Sequence, residues 1–380
     1  MERRRKSPSR RGTGRDGDRP DAPHPQRFST EDPGCEETTL AGLTEEVTPT
    51  SSFFLRSHFA IPQLRLADWR LRVTGSVDRP LDVSYADLLA TPQRRLTAVL
   101  ECAGNSRSGF HPPAEGVRWG HGAVGAARWD GVPLREILGR AGVRPAAREV
   151  VLEGADRGRE PGAPAELAFE MSIPIEKALD PGTLLATQMN GEPLTPGHGF
   201  PVRAVVPGWY GMASVKWIVG IRLIDRPFDG HFRTVSYAFV PNRSPVTQVA
   251  IPATAIRAKS LLLSPADGAT LRTGDHVLRG VAWSGGSPLE RVEVAVREPT
   301  AGAGVRPGWR RANLSGEPTR TSWSHWSLPV RWDRVGRYEI RVRATAVNGE
   351  AQPDRADWNL RGLGNNSVHV VAIQVGDSDP

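Results

Sequence analysis

The arrangement of apolar and polar residues changes near residue 254 and divides the chain into two parts. Between residues 41 and 253, segments typical of strands are interleaved irregularly with short amphipathic segments that favour helices. The predicted strands cover residues 69–77, 94–102, 148–154, 184–189, 200–207 and 215–224, and the predicted helices begin at Ser84, Pro133 and Ile173. Because regular βαβ alternation is missing, this part is predicted to be an α+β domain, not a doubly wound sheet.

From residue 254 to residue 380 the pattern becomes that of strands alone. Seven alternating segments, among them WRRANL (309–314) and VHVVAIQV (368–375), are separated by turns rich in Gly, Pro, Asn and Asp. So many short strands within about 120 residues predict an immunoglobulin-like sandwich. Such a domain can serve binding or assembly, so its fold does not decide the function.

Positive charge is concentrated at the start of the chain. The 380 residues carry 49 basic and 42 acidic side chains, a formal charge of +7, but residues 1–30 alone hold nine basic and four acidic residues. That segment has no apolar periodicity, so we expect residues 1–40 to form a disordered basic tail. The composition favours a solvated tail over an arm that binds nucleic acid.

The number of cysteines and the length of the apolar runs exclude several classes of protein. Two cysteines, Cys35 and Cys102, are too few for a disulfide framework or a thiolate-ligated cluster. The longest apolar runs fall far short of the ~20 residues that span a bilayer, so no membrane association is expected. No apolar segment follows the N-terminal arginines as an export signal requires, so we expect a cytoplasmic protein.

The segment LECAGNSRSGF (100–110) carries the most distinctive chemistry. Its Cys102 ends a predicted buried strand, and Ala-Gly-Asn follows at once, so the backbone must turn tightly there. The guanidinium of Arg107, five residues further on, would lower the pKa of a thiol at this position. An isolated cysteine is more often a small apolar core residue. Cys35 lies in an acidic stretch of the predicted tail, where we expect an incidental thiol.

Three further clusters are more polar than core strands usually are. FFLRSH (53–58), HGFPVR (198–203) and GWYGMASVKW (208–217) combine a histidine or a cation with apolar or glycine-rich neighbours. Backbone N–H groups of a glycine-rich loop, together with nearby cations, are what a phosphorylated ligand requires. Each cluster alone is better explained as a surface cation beside a turn, so only their combination points to a site.

Taken together, these clusters resemble the sulfite oxidase family of molybdenum enzymes. The resemblance extends from about Phe53 to Val375 and rests on FLRSH, LECAGNSRS, RWGHGAVGAARWDGVPLREIL, LEGAD, SIPIEKALDP, MNGEPLTPGHGFPVRAVVPGWYGMASVKWI and WNLRG in this order. It implies that the thiolate of Cys102 binds molybdenum, which suits a soft metal–sulfur bond. The other ligands would be the dithiolene of molybdopterin and oxo groups.

The resemblance also implies two sets of side chains around that metal. The cofactor would be held by Phe54, Leu55, Arg56, Ser57, His58, Asp156, His198, Arg203, Ser214, Val215 and Lys216. The catalytic and substrate-binding residues would be Cys102, Arg56, Arg107, Trp119 and Tyr237. Two arginines that converge on a small site would be costly without an anion, which fits sulfite or a similar oxyanion.

The activity that the resemblance implies is oxygen-atom transfer from sulfite to sulfate. No haem is expected, because only some 40 residues precede the shared region, so electrons would pass to an external acceptor such as a c-type cytochrome. Residues 254–380 would join two copies into a homodimer. Ser106 and the ending Ser367-Val-His-Val depart from the family pattern and remove arginines near the substrate, for which Arg361 is the nearest replacement.

Three other functions remain open at this point. A nitrate-reductase-like enzyme or another oxotransferase would use the same scaffold with a different substrate. A protein that binds nucleic acid would act through the basic tail and lose its binding at high salt. A non-catalytic adhesion-type protein would use the predicted sandwich and bind no metal.

Overall fold

The structure is a computed structural model that describes residues 26–29, 34–161, 163, 165–240, 250–298 and 308–376. The predicted basic tail therefore lies largely outside the described residues, and with it the charge of residues 1–25. Among the described residues, no helix has the length and apolar character needed to cross a membrane.

Fourteen strands and three α-helices form the first part of the described chain. The strands are β1 (Gln26–Ser29), β2 (Cys35–Glu37), β3 (Arg70–Gly75), β4 (Leu81–Ser84), β5 (Arg94–Glu101), β6 (Val124–Pro133), β7 (Glu149–Gly158), β8 (Leu167–Pro174), β9 (Leu184–Met189), β10 (Glu192–Pro193), β11 (Arg203–Val205), β12 (Ile218–Ile224), β13 (Ala238–Phe239) and β14 (Ile251–Pro252). The helices are α1 (Tyr85–Leu89), α2 (Leu134–Ala141) and α3 (Ile175–Leu179). One-turn helices at Leu40–Leu43, Thr50–Ser52, Arg107–Gly109, Pro196–His198, Gly211–Ala213 and Phe232–Ser236 lie in the connections.

Two five-stranded sheets organise this part of the described chain. The first has the order β10-β9-β6-β5, with β11 also paired to β9, and its pairings are antiparallel. The second has the order β4-β3-β12-β7-β8, in which β12 runs parallel to β3 and antiparallel to β7. Val99 of β5 and Leu152 of β7 belong to the same buried apolar cluster, so the two sheets share one core.

The three predicted helices are present, and all are short. A capping box closes the start of α1, in which Ser84 and Asp87 each bond the backbone of the other. In α2, Leu134 and Ile137 are buried at helical spacing, and the chain leaves through Gly142 at φ 73°. Because the helices have five, eight and five residues, the sheets and not the helices define this part.

Nine strands follow in the second part of the described chain. They are β15 (Lys259–Ser264), β16 (Thr270–Arg272), β17 (Gly274–Trp283), β18 (Leu289–Arg297), β19 (Trp309–Arg311), β20 (Asn313–Leu314), β21 (Ser324–Trp332), β22 (Gly336–Ala346) and β23 (His369–Gly376). They form a four-stranded sheet, β15-β17-β21-β20, and a five-stranded sheet, β16-β23-β22-β18-β19. Leu278, Trp326 and Ile340 represent both sheets in one buried cluster, so the second part is an all-β domain.

The segment WRRANL, predicted as one strand, forms two. β19 pairs with β18 in one sheet, whereas β20 pairs with β21 in the other. Ala312 between them is 4% exposed, so the chain crosses from sheet to sheet at a small buried residue. An alternating pattern continues through such a crossing and therefore does not reveal it.

The sequence pattern also misses β6, which lies between β9 and β5 in the first sheet. Its sequence, VGAARWDGVP, contains two glycines and two alanines, which are weak signals for a strand. The glycine at 131 is needed by the packing, because a Cβ there would lie 2.2 Å from the carbonyl oxygen of Leu185.

Cys35 is placed differently from the expectation. It opens β2 and is 5% exposed, in a buried cluster with Phe53 and Trp119. The next residue, Glu36, exchanges two backbone hydrogen bonds with Leu55, at 3.0 and 2.8 Å. The expectation of a disordered stretch is therefore wrong at Cys35, because β2 packs against the segment that starts at Phe53, whereas the expectation of an incidental thiol stays a prediction.

Candidate active site

Cys102 lies at a tight turn directly after β5. Its N–H donates to the carbonyl oxygen of Ala123 at 2.9 Å, and its own carbonyl oxygen accepts from the N–H of Asn105 at 2.9 Å. Ser106, at the end of the turn, has a φ of 65°, in the left-handed region. The turn leaves the Cys102 thiol partly exposed to a cavity, while the preceding Glu101 is buried.

The carboxylate of Glu101 ties this turn to the second domain. Its Oε1 accepts hydrogen bonds from Nζ of Lys259 at 3.1 Å and from Nδ2 of Asn105 at 2.9 Å. Its Oε2 accepts from Nε1 of Trp283 at 2.8 Å. Because Lys259 and Trp283 belong to β15 and β17, the second domain supports the residue next to Cys102.

A cavity, called here the main cavity, opens beside Cys102. Seven separate parts of the chain line it, including β7 and the loops on either side of β11. All the residues predicted to hold a cofactor are among them: Phe54, Leu55, Arg56, Ser57, His58, Asp156, His198, Arg203, Ser214, Val215 and Lys216. The structure therefore brings this whole predicted set together.

Arg203 is a buried cation in the main cavity whose hydrogen-bond partners are neutral. Its Nη1 donates to the carbonyl oxygen of His198 at 3.1 Å, and its Nη2 donates to that of Ser214 at 3.0 Å. The guanidinium lies over the ring of Trp129, 5.0 Å from the centroid. Burial lowers the pKa of Arg203 to about 9. A buried guanidinium with these partners favours an anionic ligand nearby.

Lys216 is a second buried cation on the same wall. Its Nζ donates to Oγ of Ser57 at 2.5 Å and to the carbonyl oxygen of Gly197 at 2.9 Å. Burial, reinforced by Arg203, lowers the pKa of Lys216 well below its ordinary value. An anion in the cavity would offset this cost and keep the ammonium charged.

Asp156 faces these cations from β7. It is 4% exposed, and its Oδ1 has no hydrogen-bond partner within the described part of the chain. Burial raises the pKa of Asp156 to about 6, against the opposing effect of Lys216. Burial also lowers the pKa of His198 to about 3, helped by Arg203 and Lys216, so this imidazole is neutral. The cavity therefore offers a polar ligand an unpartnered carboxylate oxygen and a neutral imidazole.

Arg107 enters from the other side of Cys102. Its Nε donates to the carbonyl oxygens of Arg361 at 3.0 Å and Gly362 at 3.2 Å, and its Nη1 donates to that of Val117 at 2.8 Å. Burial lowers the pKa of Arg107, and the neighbouring Cys102 opposes this shift. The guanidinium is thus held in a fixed position by neutral oxygens.

Glycines form the slot through which Arg107 runs. A Cβ at Gly104 would lie 2.5 Å from its Nη2, and a Cβ at Gly116 would lie 2.8 Å from its Nη1. At Gly362 a Cβ would lie 2.7 Å from Cγ of the same arginine. Any larger residue at these positions would displace the side chain.

His58 connects Tyr237 with Glu160. Its Nε2 lies 2.7 Å from Oη of Tyr237, and its Nδ1 lies 2.9 Å from Oε1 of Glu160. The rings of Phe169 and Phe232 pack around the imidazole, with centroids 5.5 and 5.0 Å away. The imidazole is therefore fixed at both nitrogens and on its faces.

A second cavity, called here the adjoining cavity, is lined by Arg107. It shares four residues with the main cavity: Arg56, His58, Cys102 and Tyr237. Trp119, 1% exposed, also lines it, so all five residues predicted for catalysis and substrate binding meet here. The two cavities join at Cys102.

Other residues of the adjoining cavity were not predicted from the sequence. Glu160 lies in the loop after β7, and Glu115 pairs with Arg361 at 3.3 Å. Arg361, expected as a replacement arginine, does line this cavity. No local motif in the sequence reveals Glu115 and Glu160 as site residues, because each contacts a residue more than 100 positions away along the chain. For Glu101 the sequence does carry a signal, a carboxylate within the apolar run LTAVLEC.

Comparison with known proteins identifies the family. The oxidoreductase molybdopterin binding domain matches residues 58–232, and the Mo-co oxidoreductase dimerisation domain matches residues 251–376. Sulfite oxidase of Gallus gallus is 34% identical over 368 residues, which cover 90% of this chain and 76% of that protein. The chain belongs to the sulfite oxidase family.

Mitochondrial sulfite oxidase of Rattus norvegicus is likewise 34% identical, over 374 residues. This sulfite oxidase family chain spans 66% of the length of the rat protein, and the match covers 93% of the chain itself. Nitrate reductases of plants match at lower identity, 31%.

Among solved structures, the sulfane dehydrogenase SoxCD of Paracoccus pantotrophus is similar, with a TM-score of 0.76 and 27% sequence identity. The superposition covers 93% of this chain and 91% of that chain, and so includes both domains. The protein therefore has a sulfite-oxidase-type fold, a molybdopterin-binding domain followed by a second domain built of strands.

Proposed function

We propose that the main cavity holds molybdopterin and that the Cys102 thiolate is the protein ligand of its molybdenum. The residues present fit this cofactor. Arg203 and Lys216, buried among neutral partners, suit a phosphate group, and the unpartnered Oδ1 of Asp156 suits an N–H of the pterin. When bound, the cofactor supplies two-electron oxygen-atom transfer.

The substrate that fits the adjoining cavity best is sulfite. Arg56 and Arg107 face this cavity as cations, which bind and orient an oxyanion next to Cys102. Trp119 forms an apolar wall that excludes water, and Tyr237 lines the cavity beside Cys102. The observation that carries the proposal is the junction, at one thiol, of a cationic cavity lined by all the residues predicted to hold the cofactor with a second cationic cavity.

The overall reaction is sulfite plus water to sulfate, two protons and two electrons. The electrons pass to an external acceptor, for which we propose a c-type cytochrome. We infer that the first domain is an α+β domain and that the all-β second domain is an immunoglobulin-like sandwich. We propose that this second domain joins two copies of the chain into a homodimer. We propose a cytoplasmic location on the composition of the chain as given.

Elemental and kinetic analysis of the protein from a cofactor-competent host tests this function. We expect molybdenum, pterin fluorescence after oxidation, and reduction of cytochrome c or a dye that depends on sulfite. Cys102→Ser is expected to lose turnover, whereas Cys35→Ser, at the other thiol, is expected to keep it. A wild-type protein without molybdenum, or an active Cys102→Ser variant, would refute the proposal. Parallel assays with nitrate, sulfoxides and sulfane compounds test the alternative substrates.

A further inference from the structure

A hydrogen-bonded chain of three titratable side chains leads away from the junction of the two cavities. Tyr237 lines both cavities, and its Oη lies 2.7 Å from Nε2 of His58. Nδ1 of His58 lies 2.9 Å from Oε1 of Glu160, which lines only the adjoining cavity. The side chain of Glu160 is 16% exposed, so the chain ends at a group that can exchange protons with solvent.

The donors and acceptors along this chain follow from the charges of its members. Burial raises the pKa of Tyr237, so its hydroxyl keeps its proton. Burial lowers the pKa of His58, and the hydrogen bond from His58 lowers the pKa of Glu160. A neutral imidazole between a phenol and a carboxylate donates its Nδ1–H to Glu160 and accepts the Tyr237 hydroxyl at Nε2.

Cations surround this chain, and Nη2 of Arg56 lies 3.5 Å from the same Nδ1 of His58 that faces Glu160. Arg56 and Lys216 face His58, Arg56 and His231 face Glu160, and Arg56, Arg107 and Cys102 act on Tyr237. Arg56 and Lys216 disfavour a charged imidazole, whereas the carboxylate of Glu160 favours it. Glu160 is therefore the group in these surroundings that stabilises a transient positive charge on His58.

We propose that Tyr237 and His58 form a proton relay for sulfite oxidation and that Glu160 stabilises His58 while it carries the proton. This inference rests on the proposed function. Conversion of sulfite and water to sulfate releases two protons, which must leave the cavity. In one transfer, Oη of Tyr237 accepts a proton while its own proton moves to Nε2 of His58. The carboxylate of Glu160 stabilises the imidazolium, accepts its Nδ1 proton and releases that proton to solvent, and tautomerisation of the neutral imidazole then returns its remaining proton from Nε2 to Nδ1. Glu160 is a positioning residue here, since it acts through His58.

Glu160→Gln in the molybdenum-loaded enzyme is the decisive variant, because the amide oxygen still accepts the Nδ1–H bond while the charge is lost. We expect kcat for sulfite to fall about 10²-fold or more. The KM should stay within about twofold and molybdenum content should be unchanged, since the arginines and Cys102 are untouched. The solvent isotope effect should rise, added formate or imidazole should restore part of the rate, and Glu160→Asp should be milder.

Glu153→Gln is the matched control. Glu153 pairs with Arg157 on β7 at 2.9 Å, outside both cavities, so the control loses a carboxylate and an ion pair but should keep wild-type kinetics. A Glu160→Gln enzyme with wild-type kcat, or one whose loss is matched by Glu153→Gln, would overturn the relay. Absence of sulfite turnover in the wild type would instead overturn the proposed function, and the role of the relay with it.

A measurement independent of turnover tests the same chain. In protein labelled with ¹⁵N-histidine and assigned with His58→Gln, His58 should be neutral with its proton on Nδ1. That proton should resonate at lower field than in Glu160→Gln, because a carboxylate is the stronger acceptor. A neutral His58 with its proton on Nε2, or a resonance that Glu160→Gln leaves in place, would contradict the relay.

Discussion

The carboxylate of Glu101 lies 3.1 Å from the ammonium of Lys259, and the two side chains are each 3% exposed. The pair joins the strand that ends at Glu101, directly before Cys102, to the first strand of the second domain. Burial lowers the pKa of Lys259, and Glu101 opposes that shift. Each ion is therefore tolerated in the interior because the other is present.

Removal of one partner from this pair should be costly. Lys259→Met leaves the Glu101 carboxylate buried without its counter-ion, so we expect the free energy of unfolding to fall by about 3–5 kcal/mol. Urea unfolding measures this loss. Arg331→Met is the control, since Arg331 and Asp275 are 62% and 80% exposed, and it should cost less than about 1 kcal/mol. Equal losses in the two variants would show that the buried pair contributes no more than a surface pair.

Arg107→Met should weaken substrate binding without loss of the metal. The variant removes a fixed cation from the adjoining cavity, and each charged hydrogen bond contributes about 1.5–3 kcal/mol, so KM for sulfite should rise about 10- to 100-fold. Steady-state kinetics with a molybdenum determination measures both effects. Arg118→Met, at an exposed arginine nearby, should leave KM unchanged. A similar rise in both variants would indicate a general effect of positive charge and not a binding site at Arg107.

Gly104→Ala should reproduce part of this defect through Arg107. The added Cβ would lie 2.5 Å from Nη2 of Arg107, the flexible end of the side chain, so the guanidinium must move while the fold persists. We expect a higher KM for sulfite with little change in melting temperature. Gly139→Ala in α2 meets no atom within 4 Å and should slightly stabilise the protein, with unchanged kinetics. A Gly104→Ala enzyme with wild-type KM would mean that the slot does not position Arg107.

Asp156 should make the stability of the cofactor-free protein depend on pH. Its pKa is about 6 in the folded protein and 3.8 ordinarily, so the folded state binds this proton more tightly than the unfolded state. The resulting stability is complete below about pH 4 and is lost as pH rises through about 6. Asp156→Asn should remove this dependence and stabilise the protein at pH 8 by up to about 3 kcal/mol. Denaturation curves between pH 4 and 8 test this, and parallel curves for the two proteins would contradict it.

Much of the first domain could be predicted because its strands and helices carry local signals. Ser84 caps α1 as expected, and β5 and β12 follow their apolar runs. β6 could not be predicted, because its glycines and alanines are chosen for close packing against β9 and not for strand propensity. The crossing at Ala312 was missed because pairing partners are decided by tertiary structure.

The candidate site shows the same division between local and long-range information. Cys102, Arg203 and Lys216 belong to motifs shared with the family, so the resemblance predicts them as site residues, and the structure places them around one cavity. Glu160 and Lys259 stand in no such motif. Their importance comes from partners 102 and 158 positions away, which only the folded chain brings within reach.

At the junction beside Cys102, some residues of the site border both cavities and others border only the adjoining cavity. Arg56, His58, Cys102 and Tyr237 border both cavities, so a change in any of them alters cofactor retention and substrate binding together. Arg107, Glu115, Trp119 and Arg361 border the adjoining cavity alone. A scaffold of this kind can acquire a new substrate by variation on one side only, while the chemistry of its metal stays intact.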